Sequence, residues 1–517
     1  MRKLQTTIVS FGLVVSLGFG QLLGCSADAD DCSLNATCNA DGTPYSGSVG
    51  PLPECMDSPS ANPAVIRDEC AFFVGGSAAS DGNAGTQAAP FKSLSTAINA
   101  ARNAKARVYL CGIFTERVDI PAGVSLFGGF DCLQAEWKYD ASRRARIEAP
   151  APSLDSPFQS SMRILGMGAT RVEDIDIQAT VGSFAGSSAI GVIINGPTVD
   201  FVRSTITASD GEPGAKGATP TDDVGPADPN DPAVRGNPGQ NACFGGSGGN
   251  PGGAAVVNVL CPESVGGKGG NGQDMSGDPG ENGLPTDSMF GQGGPGENVT
   301  SCIAGANGRL GMSGNFGAGG KSVGTLDEIK GHIGSSGQAG GKGTVGQGAG
   351  GGGGAKGKTN FFGASGGSGG AGGCPGNGGL GGEPGGSSIG IVSLAGTLRF
   401  LNVAIVTGYG GMGGAGGTGQ NGGAGGNGGF GGKGGSCGGG AITTAACDGA
   451  NGGNGGSGGQ GGGGAGGHSW GIAHAAKTTL DLSGVTITTA MPGDGGAGGD
   501  LPGTGAAGLQ EDVHEFP

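Results

Sequence analysis

The stretch Ser388-Ile389-Gly390-Ile391 begins a unit that occurs three times in the chain. In each copy an apolar residue, a glycine and a second apolar residue open one strand, and another short apolar strand follows. The copies run over residues 190–206, 389–405 and 470–487. Apolar and polar residues alternate along each strand, which is the pattern of a strand with one buried face. The pattern therefore predicts an all-β fold built from these copies.

The alternation slips by one residue in the middle of each copy, at positions 202–203, 401–402 and 483–484. A straight strand would turn its later apolar residues to solvent after such a slip, so we expect the chain to bend there. Short strands that bend around one interior and recur along the chain are typical of a parallel β-helix. An antiparallel β-sandwich is the alternative.

We expect the three copies to lie next to each other, because one coil of a β-helix cannot bury its apolar face alone. Equivalent apolar residues should then form columns inside the stack. The predicted columns consist of Phe201, Phe400 and Leu482, and of Ile206, Ile405 and Ile487. The long stretches between the copies must leave the stack and return to it.

Glycine occupies 127 of the 517 positions, whereas aromatic residues make up 5% and charged residues 13%. This composition leaves too few apolar side chains for one large conventional core. The formal net charge is −15, and the sequence has no basic stripe that would neutralise phosphates. The composition therefore predicts no nucleic-acid partner.

Two glycine-rich stretches separate the copies, at 211–386 and 408–467. Gly-Gly pairs recur at every third residue in parts of both, for example at 410–435. A three-residue period matches an extended left-handed helix without internal hydrogen bonds, and such helices can bond to one another in a bundle. The stretches resemble the polyglycine-type bundles of glycine-rich antifreeze proteins and phage adhesin tips. A flexible bristle is the alternative, because ordering glycine carries a large entropic cost.

The N-terminus has the features of a processing segment. Arg2 and Lys3 precede an apolar run at 8–23, so we predict a signal peptide over residues 1–24. The run ends in Leu22-Leu23-Gly24-Cys25, which resembles the lipobox of bacterial lipoproteins. The resemblance implies cleavage before Cys25 and attachment of lipid to it, which would anchor the protein to a membrane. An ordinary secretory signal is the alternative.

The cysteines predict disulfides. Of the 13 cysteines, twelve remain once Cys25 is assigned to lipid, and an even number suits an oxidising compartment. With four histidines and no C-x-x-C motif, the sequence predicts no metal site. Three pairs are predicted from neighbouring strands or short spacing: Cys111–Cys132, Cys243–Cys261 and Cys437–Cys447.

Apolar residues at Leu94, Ala97, Ile98 and Ala101 have helical spacing, which predicts an amphipathic helix over 92–104. The surroundings resemble the N-terminal part of right-handed β-helix proteins of the pectin-lyase-like superfamily, especially a segment of unknown function on bacterial surface proteins. The matching stretches within 72–130 are 81–86, 89–94, 97–98 and 114–118. The resemblance implies a right-handed β-helix whose N-terminal helix covers the open end of the first coil.

The chain accordingly divides into eight predicted segments. They are a signal peptide (1–24), a Cys-rich polar spacer (25–70), a β-helix with its N-terminal cap (71–210), a glycine-rich insertion (211–386), a β-helix coil (387–407), a second glycine-rich insertion (408–467), a last coil (468–490) and a glycine-rich, acidic tail (491–517).

Carbohydrate-cleaving β-helix proteins need clustered carboxylates. The acidic residues on predicted strands are Glu173, Asp174, Asp176, Asp200 and Asp481. Asp200 and Asp481 take equivalent positions in their copies and Arg399 takes the position between them, which favours a structural charge ladder. The histidines show no nucleophile–base arrangement. We therefore predict no catalytic residues, no enzyme activity and no cofactor.

These patterns together predict a lipid-anchored structural or adhesive protein of the bacterial outer membrane or cell surface. It would present a β-helix and a glycine-rich surface to envelope glycans, matrix or other cells. A carbohydrate-active β-helix, either lyase or hydrolase, is one alternative, and a carboxylate cluster in a groove would favour it. An ice- or mineral-binding surface is another, which a regular array of Thr, Ser or Asn would favour.

Overall fold

A computed structural model describes residues 51–132, 136–153, 159–243, 248–438 and 441–517. In this part of the chain the structure is mostly β, with very little helix. Large parallel sheets dominate it and indicate a β-rich, solenoid-like fold. The all-β class predicted from the alternating pattern is confirmed at this level.

Among the described residues, eleven strands form the larger sheet and six form the smaller one. The larger sheet contains β1 (Phe72–Gly75), β2 (Arg107–Cys111), β4 (Val118–Pro121), β5 (Ser125–Phe127), β9 (Ser160–Leu165), β10 (Ala169–Glu173), β12 (Ala189–Val202), β18 (Ser388–Leu401), β22 (Ser469–Ala475), β23 (Thr478–Asp481) and β25 (Gln510–Phe516). The smaller sheet contains β3 (Ile113–Phe114), β8 (Ala145–Glu148), β11 (Ile175–Ala179), β13 (Thr205–Ala208), β19 (Val403–Thr407) and β24 (Val485–Thr488).

Short antiparallel ladders and a helix complete the described elements. The ladders join β6 (Phe130–Asp131) to β7 (Lys138–Tyr139), β14 (Val256–Val257) to β15 (Val265–Gly266), β16 (Thr325–Asp327) to β17 (Gly331–Ile333), and β20 (Ser436–Cys437) to β21 (Ala441–Ile442). Two 3-10 turns span Pro53–Cys55 and Pro63–Val65. The helix α1, Leu94–Asn103, buries all four predicted apolar residues and contacts β1, β2 and β4.

The three sequence copies lie side by side, as their pattern predicts. β12 pairs in parallel with β18, and β18 pairs in parallel with β22 and β23. Phe201 lies opposite Phe400, and their rings stack with centroids 5.8 Å apart. In the smaller sheet Ile206 lies opposite Ile405, which in turn lies opposite Ile487. These side chains belong to one apolar core that both sheets share.

The predicted place of Leu482 in the first column is wrong. β23 ends at Asp481, whose carboxylate accepts a hydrogen bond from the Ser483 N–H at 3.1 Å. The chain therefore turns before it can place Leu482 inside, and this side chain is 41% exposed. In the last copy Leu480, which lies opposite Leu398, packs against the core.

Single residues turn the chain between the two sheets. Arg203 and Asn402 lie at the first two predicted slips and have φ angles of 45° and 56°, and Asp174 adopts a φ of 55° between β10 and β11. Few residues other than glycine adopt this left-handed region. The slip in the apolar pattern therefore marks a sharp bend, after which the apolar side chains face the same core.

Each copy has its glycine where the two sheets approach closely. A Cβ at Gly390 would lie 2.3 Å from Cγ2 of Ile405 and 2.6 Å from the carbonyl oxygen of Gly471. A Cβ at Gly471 would likewise lie 2.3 Å from Cγ2 of Ile487. Any side chain at these positions would force the sheets apart, which explains why the repeated unit contains glycine.

Both glycine-rich stretches leave the sheets and return at a neighbouring strand, one before β18 and the other before β22. Their described extended segments, here called the glycine bundle, are hydrogen-bonded to one another at every third residue. One series runs from the N–H groups of Gly370, Gly373 and Gly376 to the carbonyl oxygens of Ala450, Gly453 and Gly456. Residues between these donors bond to other neighbours, for example Gly369 to Gly267 and Ala371 to Val234, both at 2.9 Å. Backbone bonds therefore order these segments in the structure.

The interior of the glycine bundle requires glycine because neighbouring backbones touch. A Cβ at Gly370 would lie 1.9 Å from the carbonyl oxygen of Gly426, and one at Gly373 would lie 1.9 Å from that of Gly423. Side chains at the third positions of segment 410–435 reach the surface instead, so the two glycine faces pack and the third face is displayed.

Two predicted disulfide pairs, Cys243–Cys261 and Cys437–Cys447, are wrong. The structure instead joins Cys243 to Cys437, Cys261 to Cys374 and Cys302 to Cys447, across 194, 113 and 145 residues. Distant parts of the chain run next to each other in the glycine bundle, so the nearest thiol belongs to another segment rather than to the same loop. Cys111–Cys132 is formed as predicted.

Residues 55–70, the end of the predicted spacer, pack on the larger sheet. The Cys55–Cys70 disulfide closes this segment, and the Tyr109 hydroxyl donates a hydrogen bond to the Val65 carbonyl oxygen at 2.9 Å. The predicted tail also joins the sheet, because β25 pairs in parallel with β22.

Candidate binding surface

Two neighbouring segments of the glycine bundle display side chains at three-residue intervals. The first row lies on segment 410–435 and the second on segment 447–467. The Gly449 N–H donates to the Gly429 carbonyl oxygen at 2.9 Å. The next bonds run from Gly452 to Gly426 and from Gly455 to Gly423, so the donor number rises by three as the acceptor number falls by three. The two segments are therefore antiparallel, and their side-chain rows lie next to each other.

Side-chain oxygens of the second row accept hydrogen bonds from the backbone of the first. The Oδ1 atoms of Asp448, Asn451 and Asn454 accept from the N–H groups of Gly431, Gly428 and Gly425 at 2.6, 3.0 and 2.9 Å. These bonds satisfy backbone donors and hold each side chain in place. Among the described residues, the Nδ2 atoms of Asn451 and Asn454 have no hydrogen-bond acceptor, so both can donate to a ligand.

A groove of about 450 Å³ lies between the two rows and the loop 230–238. Side chains in its lining include Asn230, Arg235, Asn427, Phe430, Asp448 and Asn451. Phe430 is 76% exposed, which is unusual for a residue type that is mostly buried. Asn427 Nδ2 donates to Asn230 Oδ1 at 2.8 Å, which ties the loop to the first row. The groove thus combines one exposed aromatic ring with several amides.

The charges in this groove balance. Arg235 contributes one positive charge and Asp448 one negative charge, although the whole chain has a net charge of −15. A lining with balanced charges does not favour a polyanion or a polycation. The groups in this groove that could contact a ligand without a charge preference are the amides, whose type offers both donors and an acceptor, and the aromatic ring.

The acidic residues that the sequence places on strands pair with arginines. Asp200 forms a bidentate pair with Arg399, with Nε–Oδ1 and Nη2–Oδ2 distances of 2.6 and 3.1 Å. The strand register places Asp481 on the other side of Arg399, as in the predicted charge ladder. Asp176 contacts Arg144 at 3.2 Å.

Glu173 and Asp174 belong to a buried network at the bend after β10. Arg203 Nε donates to Asp174 Oδ1 at 2.9 Å, and Ser58 and Arg171 donate to Glu173. Burial opposes the charge of Glu173, but hydrogen bonds from Ser58 and Arg171 outweigh this effect and hold its pKa below the usual value. The network fastens the N-terminal segment to the sheet.

Three of the four histidines surround Trp470 on the larger sheet: His332, His468 and His514. The Nε2 atoms of His332 and His468 both lie within hydrogen-bond distance of the Val323 carbonyl oxygen, at 2.8 and 3.1 Å. Burial lowers the pKa of His332 to about 4 and the pKa of His468 to about 3. Both rings are therefore neutral at pH 7. The contact of His468 with Val323, and that of His332 Nδ1 with the Ser387 hydroxyl at 3.2 Å, tether the β16–β17 hairpin to the sheet.

Sequence analysis predicted neither the groove nor the histidine cluster. The loop 230–238 lies almost two hundred residues before Phe430, since Asn427 and Asn230 are 197 residues apart. Only the packing of the glycine bundle brings these parts together. The available signal was the recurrence of asparagine at three-residue intervals, at Asn427 and Asn454 after glycine pairs and at Asn451 after Gly449-Ala450.

Several predictions concern residues or sites beyond this groove. Cys25 and the signal peptide lie outside the described residues. In the described ranges, no group of three or more His, Cys, Asp or Glu side chains is placed to hold a metal ion. No helix in these ranges is both long and apolar enough to span a bilayer. Comparison of the chain with protein-family models, curated proteins and solved structures found no match.

Proposed function

We propose that the protein is a lipid-anchored structural or adhesive protein of a bacterial outer membrane or cell surface. In this proposal the parallel sheets form a right-handed β-helix of the pectin-lyase-like kind, with α1 as its N-terminal cap. The glycine bundle consists of polyglycine II-like helices and is the part presented to envelope glycans, matrix or other cells.

The glycine bundle is the observation that carries the proposal. Its backbones bond to one another at every third residue, and three disulfides tie it across 113 to 194 residues. Disulfides persist in oxidising compartments such as the cell surface. The bundle displays apolar side chains to solvent, including Phe430 at 76% and Met412 at 57% exposure. A rigid body with displayed side chains loses little entropy when it binds a partner.

The anchor is tested by replacing Cys25 with Ser in the full-length protein. We expect the variant to leave the membrane fraction, because the acyl chains that the lipobox resemblance implies would have no site of attachment. Wild-type protein should partition into the detergent phase. A matured variant that still partitions there would contradict the lipoprotein proposal.

Adhesion is tested with cells that carry the full-length protein on their surface. We expect these cells to be retained on glycan- or matrix-coated surfaces more strongly than cells that produce the Cys25→Ser variant. The comparison keeps the folded protein constant and changes only its attachment. Equal retention of both kinds of cell would overturn the adhesive role.

A further inference from the structure

We propose that the groove around Phe430 binds an uncharged pyranose oligosaccharide of a surface glycan. This inference rests on the proposed function and deepens it, because it names the ligand class and the residues that contact the ligand. The groove volume of about 450 Å³ fits a small ligand, since ligand pockets typically enclose roughly 300–1,000 Å³.

Phe430 provides a platform for a sugar ring. The axial C–H groups of a pyranose form an apolar face that packs on an aromatic ring, and contact removes both surfaces from water. The backbone under Phe430 is fixed, because its carbonyl oxygen accepts a hydrogen bond from the Gly239 N–H at 2.8 Å. An exposed ring on a fixed backbone loses little freedom when it is covered.

Asn451 and Asn427 provide one fixed donor and one fixed acceptor. The Gly428 N–H donates a hydrogen bond to Asn451 Oδ1 at 3.0 Å, and Asn451 Nδ2 stays available as a donor to a ligand. Asn427 Nδ2 donates to Asn230 Oδ1 at 2.8 Å, which leaves Asn427 Oδ1 as an acceptor. A sugar hydroxyl both donates and accepts, so it matches this arrangement.

The remaining lining favours close approach and disfavours charge. Gly428 and Gly429 line the groove without side chains, so a ligand can reach the backbone itself. The single charges of Arg235 and Asp448 balance and can bond to hydroxyl groups. An acidic polysaccharide would find no excess of positive charge here.

The test measures binding of the full-length protein to defined oligosaccharides by isothermal titration calorimetry. Chitotetraose and cellotetraose are the uncharged probes, and tetragalacturonate is the acidic comparison. We expect an uncharged probe to bind at least about tenfold more tightly than the acidic one, a difference of about 1.4 kcal/mol. The Phe430→Ala variant should bind at least about tenfold more weakly than the wild type. Met412→Ala removes another exposed side chain of the same row and should leave binding unchanged.

A second pair of variants separates recognition from structure. Asn451→Asp keeps the oxygen that accepts the Gly428 N–H but removes the amide donor, so it should weaken binding several-fold. Asn454→Asp makes the same change one triplet further on, outside the groove lining. It adds the same negative charge and should bind the probes as the wild type does. Equal weakening by both variants would indicate a general charge effect and contradict the assigned donor.

The outcomes distinguish this inference from the proposed function. The groove inference is overturned if neither uncharged probe binds the wild type at millimolar concentration. It is also overturned if Phe430→Ala binds the probes as tightly as the wild type does. If Phe430→Ala binds the probes as the wild type does and cells carrying this variant still adhere, adhesion uses another surface and only the groove inference fails. If wild-type cells do not adhere although the soluble probes bind as expected, the proposed adhesive role fails and the groove inference stands.

Discussion

Neighbouring copies in the two sheets pair through backbone hydrogen bonds and also pack large side chains in a shared core, whereas neighbouring segments of the glycine bundle pack backbone against backbone. In the sheets Phe201 stacks on Phe400 inside an apolar core. In the bundle a Cβ at Gly370 would lie 1.9 Å from the Gly426 carbonyl oxygen. Removal of apolar area from water stabilises the first region, and hydrogen bonds with close packing stabilise the second. A high glycine content is therefore compatible with order when each N–H group has a partner.

The two regions also differ in how the chain is linked. Short connections at the bends join strands within each copy, and closing them costs little entropy. The glycine bundle joins segments that lie far apart in the sequence, and its three disulfides cross 113 to 194 residues. The covalent links should therefore stabilise the bundle more strongly than they stabilise the sheets.

Removing one long-range disulfide, Cys261–Cys374, should lower stability more than any single substitution in the sheets or the bundle. In the chain-entropy model a loop of about 100 residues contributes about 4–5 kcal/mol, so Cys261→Ala with Cys374→Ala should lower the free energy of unfolding by that amount. The matched control removes Cys55–Cys70, which spans 15 residues and should contribute about 3 kcal/mol. Urea denaturation measures both values.

Peptide mapping under non-reducing conditions checks the connectivity on which this comparison depends. We expect peptides linked through Cys261–Cys374, Cys243–Cys437 and Cys302–Cys447. Peptides linked through Cys437–Cys447 would show that cysteines of the bundle pair with near neighbours in the sequence. The bundle disulfides would then not be expected to stabilise the protein more than the disulfides near the sheets.

Phe400→Ala should break the stack of the sheets. Phe400 is buried beside Phe201, and truncating a buried phenylalanine usually lowers the free energy of unfolding by about 3–5 kcal/mol. Leu482→Ala is the control, because Leu482 is 41% exposed and should contribute well below about 1 kcal/mol. If urea denaturation shows a similar loss in the free energy of unfolding for both variants, Leu482 lies in the core column after all.

Gly370→Ala should break the bundle without touching the apolar core. The added methyl group would collide with the Gly426 carbonyl oxygen and separate buried hydrogen-bond partners, which should lower stability by about 2–4 kcal/mol. Hydrogen exchange should show faster exchange at bundle amides and little change in β12 and β18. Met412→Ala, on the displayed face of the bundle, should leave exchange unchanged. Unaltered exchange in Gly370→Ala would contradict backbone packing.

Lowering the pH should loosen the contact between the regions, because the β16–β17 hairpin belongs to a glycine-rich stretch and packs on the sheet. His332 and His468 are neutral in the fold, since burial lowers their pKa values to about 4 and about 3. Unfolded histidine takes up a proton near about pH 6.5, so below that pH the open state binds more protons and is favoured. This contribution to stability is complete above about pH 6.5 and decreases towards pH 4.

We expect the loss to reach roughly 1–3 kcal/mol, because local opening of the hairpin releases both rings before the sheets unfold. Hydrogen exchange of residues 323–333 at pH 7 and pH 4.5 measures this opening. In the double variant His332→Gln with His468→Gln, side-chain amides can still donate to the Val323 carbonyl oxygen. If hydrogen exchange in that variant depends on pH as it does in the wild type, carboxylates rather than these two histidines cause the opening at low pH.

The stacked copies could be predicted from the sequence because their information is local and repeated. The alternation of apolar residues and the slips at Arg203 and Asn402 together indicated strands and bends. The same reasoning failed at Leu482, because a hydrogen bond from Ser483 to Asp481 ends the strand early. A short polar contact of this kind leaves no periodic signal.

The sequence by itself determined that the three copies contain strands, where those strands bend and that glycine pairs recur with a three-residue period. Each of these depends on the sterics and polarity of residues near one another in the chain. Only the tertiary structure decided which segments of the bundle are neighbours, and with them the disulfide partners and the groove at Phe430. Triplets of glycine are interchangeable, so many alignments of the segments satisfy the same backbone bonds. The alignment in the structure is the one that also brings together side chains far apart in the sequence, such as Asn427 and Asn230, which are 197 residues apart.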